Sequence, residues 1–84
     1  MTVQQKMTQE VAIELIKIEV MKATRQHPNW PEDNKLLGVA IICEESGEAM
    51  RAAVQEFQGE GDEVAIHREV IQTAATCIRF LMGA

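Results

Sequence analysis

Apolar positions recur at helical spacing along most of the chain. In the first stretch Val11, Leu15 and Ile18 form one row, and Ile13, Ile16 and Val20 form a second. Side chains three and four apart share a side of a helix, so these rows make one broad apolar face, while Lys17, Lys22 and Arg25 take the polar one. Breakers interrupt the pattern at His27-Pro28-Asn29-Trp30-Pro31 and again at Gly59-Glu60-Gly61, where proline removes a backbone donor and glycine relaxes the chain. The spacing therefore predicts helices over about 8–26, 33–58 and 62–82, with Asp33 or Asn34 capping the second and Asp62 the third. β-Branched residues are common, but the period is helical and no Asn-Gly or Asp-Gly hairpin signal occurs. The expected fold is all-α. Its second helix is apolar on more than one side, which predicts a three-helix unit completing a four-helix-type bundle by oligomerisation, as a homodimer or homotetramer.

Composition narrows the function. The 84 residues make room for one domain, over 1–84, with little core of its own unless another subunit contributes. Cys43 and Cys77 fall inside apolar helical patterns, giving no support for a disulfide framework or a Cys-based zinc site, and a reducing, cytoplasmic setting follows. They read as small packing residues, as Met1, Met7, Met21, Met50 and Met82 read as core or interface filler. The longest apolar run, Val39 to Cys43, is far short of a membrane span, so the expectation is a soluble protein. A net charge of -5 opposes duplex nucleic acid as a partner, since that affinity comes from basic residues that displace counterions. A phosphate-bearing small molecule stays open if metal ions screen the repulsion.

The informative segment is Cys43-Glu44-Glu45-Ser46-Gly47-Glu48. At about 100° per residue Glu48 falls about 40° from Glu44 and about 60° from Glu45, so the three carboxylates share one side. Leu37, Ile41 and Ala52 project within the same sector, which makes the acids an interruption of an apolar stripe. Ala40, Gly47, Arg51 and Gln58 hold the sector expected to face water. On the third helix Glu69 shares its sector with Ala65, Ile66, Thr73 and Phe80, and it too is expected to point inward. Several carboxylates inside a helical bundle repel one another and lose hydration, so they take up protons or hold a cation. Their oxygens favour a hard ion, Mg²⁺ or Mn²⁺. A di-iron carboxylate bundle would need Glu-x-x-His pairs, and neither His27 nor His67 has a Glu three positions before it.

Glu44-Glu45-x-x-Glu48, followed after twenty intervening residues by Glu69-x-x-Gln72, resembles the MazG-like family of all-α nucleoside triphosphate pyrophosphohydrolases, whose pattern is Glu-Glu-x-x-Glu, a helix break, then Glu-x-x-Asp. Leu37-Gly38-Val39 ahead of the first motif and Ile71-Gln72-Thr73-Ala74-Ala75 across the second agree with it, and the resemblance spans roughly Trp30 to Leu81. It implies a Mg²⁺-dependent housecleaning enzyme that converts a nucleoside triphosphate to monophosphate and pyrophosphate. By the same resemblance Glu45, Glu48 and Glu69 are direct metal ligands, and Glu44 is a ligand or the group that orients the attacking water. Gln72 departs from the family Asp: its amide oxygen can coordinate but brings no negative charge. That residue separates the enzyme from a second reading, a nucleotide-binding or oligomerisation module that retains the acidic pocket with weak turnover. A third, purely structural reading has the acids solvated.

Among the remaining residues Trp30 is placed to stack on a base, although an indole is more commonly spent on packing. Lys35, Arg51, Arg68 and Arg79 offer charge to a phosphate tail, the ordinary use of such residues being solvated surface charge. His67, near Ile71 and Ile78 with Glu63 as its one acidic neighbour at helical spacing, reads as a packing histidine rather than a general base. His27, next to Pro28, ends the first helix.

Overall fold

A computed structural model describes residues 6–84 of the chain; the expectation for Met1 falls outside them. The described residues form three helices and no strand: α1 (Gln9–Gln26), α2 (Lys35–Phe57) and α3 (Glu63–Met82). Each starts on a side-chain cap that satisfies a backbone donor left free in the first turn. Thr8 Oγ1 accepts from the Val11 amide at 3.2 Å, Asn34 Oδ1 from Leu37 at 3.0 Å, and Asp62 Oδ1 from Ala65 at 2.9 Å. The two later helices end on glycines in the left-handed region, Gly59 (φ 80°) and Gly83 (φ 73°). After α2 the amides of Gly59 and Glu60 donate back to the Glu56 and Gln55 carbonyls, closing the turn that only a residue without Cβ adopts cheaply. No described helix is long and apolar enough to cross a membrane.

The helices do not form a closed bundle. α1 and α2 each pack against α3, and their backbones do not approach one another closely. The C-terminal turn of α1 lies beside the C-terminal half of α3, where the Ala23 carbonyl meets Arg79. α2 runs the other way, its start against the end of α3: a Cβ built on the buried Gly38 would lie 2.8 Å from the Phe80 ring. Among the described residues the only buried apolar side chains are Ala52 and Ala75. Small residues let the helix backbones approach, but they remove little apolar area from water.

Large side chains are correspondingly left outside, with Phe57 90%, Leu36 83% and Leu81 81% exposed. The chain presents 6424 Å² of surface, against about 5,000 Å² for a compact monomer of 9.4 kDa.

Candidate functional site

Because α1 and α2 stand apart, a groove of about 450 Å³ opens between them with α3 as its floor. Glu19 and Ala23 face it from α1, Ile41, Glu44 and Glu45 from α2, and Gln72, Thr76 and Arg79 from α3, while the loop after α1 closes one end with His27, Asn29 and Trp30. The groove is thus acidic along its length and aromatic and amide-bearing at its loop end.

Its electrostatics are out of balance. Burial, which strips water from the charged form, raises the Glu45 pKa, and repulsion from Glu48, Glu69, Glu44 and Glu19 adds to it in that order. Glu69 Oε1 is buried with no hydrogen-bond partner, an arrangement that costs free energy unless something supplies positive charge. No ion pair among the described residues supplies it: the one present, His67 Nε2 with Glu63 Oε2 at 3.6 Å, lies elsewhere on α3. Carboxylate oxygens on two facing helices, joined by the Gln72 amide, are a donor set that fits a hard divalent cation. As the side chains stand, no three Asp, Glu, His or Cys groups among the described residues are gathered tightly enough to hold one. Binding there needs side-chain rotation, which is open to the exposed Glu44 and Glu48.

The helical registry places the predicted residues unevenly. Glu45 and Glu69 are half-buried, in line with an inward-facing pair, whereas Glu44 and Glu48 are exposed. Within the single chain the carboxylate side of α2 is left open: Leu37, in that sector, is itself 46% exposed, because the backbone of α1 does not come close enough to cover that side. Gln72 is half-buried and lines the groove beside Glu45. Trp30 is half-buried at its end. Lys35 opens instead into a separate pocket with Glu32 and Phe80, and Arg51 is exposed and does not line the groove, so neither is brought to the acids. Cys43 and Cys77 are free thiols, Cys43 exposed rather than packed.

Two residues gain a place that their sequence context did not suggest. Glu19 belongs to the row Ala12, Ile16, Glu19, Ala23, whose members line pockets against α3, and a lone acid in such a row is the signal that was open to notice. Arg79, read as surface charge, is 5% exposed. Its Nε donates to the Ala84 carbonyl at 2.8 Å, one terminal nitrogen to Ala23 at 3.3 Å and the other to His27. The guanidinium lies 5.1 Å from the Trp30 ring centroid, in cation–π range. One side chain thus ties the ends of α1 and α3 to the loop and fixes the indole at the groove wall.

No protein-family model, curated protein or solved structure matches the chain. The assignment of function therefore stands on the residues of the groove and on Glu48 and Glu69, which lie near Glu45 without lining it.

Proposed function

We propose that the chain is a Mg²⁺-dependent nucleotide pyrophosphohydrolase of the MazG-like kind, acting as a homo-oligomer in the cytoplasm on a nucleoside triphosphate. The observation that carries this reading is the uncompensated negative charge in and beside the groove: a carboxylate at Glu45 driven toward protonation and, on Glu69 close to it, a buried, partnerless oxygen. Glu45, Glu48 and Glu69, with the Gln72 amide oxygen, would hold the ion, Mn²⁺ serving in place of Mg²⁺. Bound there, it supplies neutralising charge and Lewis-acid polarisation to the polyphosphate.

The chain's own groups do the rest. Trp30 offers its indole face to the base, and the fixed Arg79 side chain holds that face in place. Glu44, exposed at the groove edge, orients a water toward the α-phosphorus and takes its proton. The new P–O bond forms as the α–β bridging bond breaks, so the products are a nucleoside monophosphate and pyrophosphate. Self-association follows from the exposed apolar surface described above.

A second reading rests on Gln72. A neutral amide in the groove, where a carboxylate would strengthen metal binding, suits a module that binds nucleotide and turns it over weakly. Pyrophosphate release from a panel of ordinary and modified nucleoside triphosphates, with Mg²⁺ or Mn²⁺ and a Glu48→Ala control, separates the two. Turnover that disappears in the control supports the enzyme. Silence across the panel, with Mg²⁺ still raising the melting temperature, supports the binding module. Under the enzyme reading Gln72→Asp raises both metal affinity and rate.

A further inference from the structure

Six exposed apolar side chains of α2 share one side of the helix. Leu36, Val39, Cys43, Met50, Val54 and Phe57 recur every three or four residues and trace one row along the helix, with the small Ser46 and Gly47 at its middle. Every one of them is exposed, Phe57 at 90% and Met50 at 64% among them. On a helical projection the row lies roughly 150° from the side that carries the buried Gly38 and Ala52 and meets α3, and about 130° from Glu44 and Glu48. It therefore serves neither the fold of one chain nor the groove.

The row is also a palindrome. Leu36 and Phe57 are equidistant from the midpoint between Ser46 and Gly47, and so are Val39 and Val54, and Cys43 and Met50. A two-fold axis through that midpoint lays α2 antiparallel on its own copy, with an apolar residue opposite an apolar residue at each level. The two smallest side chains fall at the crossing, where helix backbones come closest. Matching of residue i with j and of j with i is the self-complementarity that an isologous interface requires.

We propose that α2 is the dimerisation helix of this chain, pairing antiparallel with α2 of a second copy about an axis between Ser46 and Gly47. This rests on the self-association put forward above and names its surface and its geometry. The row is about 32 Å long, and all six of its side chains are left uncovered in the single chain. Pairing on this side leaves both grooves open, facing away from the shared axis.

The test uses the full chain, without nucleotide or metal, so it does not depend on the reaction. Sedimentation should give an even multiple of 9.4 kDa, and Gly47→Leu should halve it. A Cβ on Gly47 meets nothing within 4 Å in the single chain, and leucine favours a helix over glycine, so the variant keeps its helical circular dichroism while blocking the crossing. Met50→Glu provides a second, independent block. With Cys43 and Cys77 replaced by serine, Ser46→Cys should oxidise to a covalent dimer. Native Cys43 should not, since antiparallel pairing sets the two copies of it about 10 Å apart along the helix, beyond disulfide reach. A wild-type chain of 9.4 kDa would overturn both self-association and this interface. An assembly indifferent to Gly47→Leu and Met50→Glu, or one linked through Cys43 itself, would overturn the interface alone.

Discussion

The loop end of the groove and the acids farther along solve the problem of buried charge in opposite ways. At the loop end Arg79 is almost wholly buried, yet its charge is met by three carbonyl oxygens and by the face of Trp30. Farther along, Glu45 in the groove and Glu69 close to it are less buried but have nothing to meet them: one is pushed toward protonation and the other keeps an oxygen without a partner. The chain spends its buried cation on holding α1 and the loop in place, not on neutralising the acids. A region balanced internally is structural, and a region left unbalanced in a stable fold is available for something that arrives from outside.

Substitutions can break or sharpen that contrast. The largest effect is expected from Arg79→Ala, which frees three carbonyls and the hold on α1, and should cost about 3 kcal/mol in urea or thermal unfolding. Arg79→Lys should recover only part of it, because an ammonium lacks the planar fork that reaches all three acceptors. Trp30 emission, from the only indole, should shift in both. Next comes Gly38→Ala. The built Cβ lies 2.8 Å from Phe80 Cδ1 and 3.0 Å from Cε1, so the ring must move, for about 1 kcal/mol net of the helix propensity gained. A melting curve unchanged by Gly38→Ala would mean that the α2–α3 contact is looser than described.

The smallest effect has the opposite sign and marks the unbalanced end. The Glu45 pKa is raised above 4.5 in the folded chain, so the folded state holds that proton more tightly than the unfolded one. Its contribution favours folding below pH 4.5 and is lost as pH rises through the raised value. Glu45→Gln should therefore stabilise the metal-free protein at neutral pH, by on the order of 0.5 kcal/mol as for other like-charge relief on helices. The difference should close as pH falls through 4.5. Added Mg²⁺ should reverse the ranking, stabilising the wild type and leaving the variant unmoved.

Much of this was legible in the chain. Breakers and caps delimit three helices to within two residues at each end, because prolines, glycines and capping oxygens act locally. Glu69 reads as inward from its apolar neighbours, and it is. The openness of the Glu44 and Glu48 side is not legible, since periodicity says that a sector is apolar without saying whether another helix arrives to cover it. Arg79 shows the same limit from the other direction. Its acceptors on α1 lie more than fifty positions away, and a backbone carbonyl leaves no mark in a sequence. The palindrome of α2, by contrast, is written in the sequence, and gained meaning only once its residues were seen to be exposed.

The most direct test of the central claim is titration of Mn²⁺ into the wild-type chain at neutral pH, followed by the loss of the free-ion paramagnetic resonance signal. The account predicts saturable binding that Mg²⁺ competes away and that Glu45→Gln and Glu69→Gln each weaken at least tenfold. A folded wild-type chain that leaves the signal untouched, or variants that bind as tightly as the wild type, would contradict it.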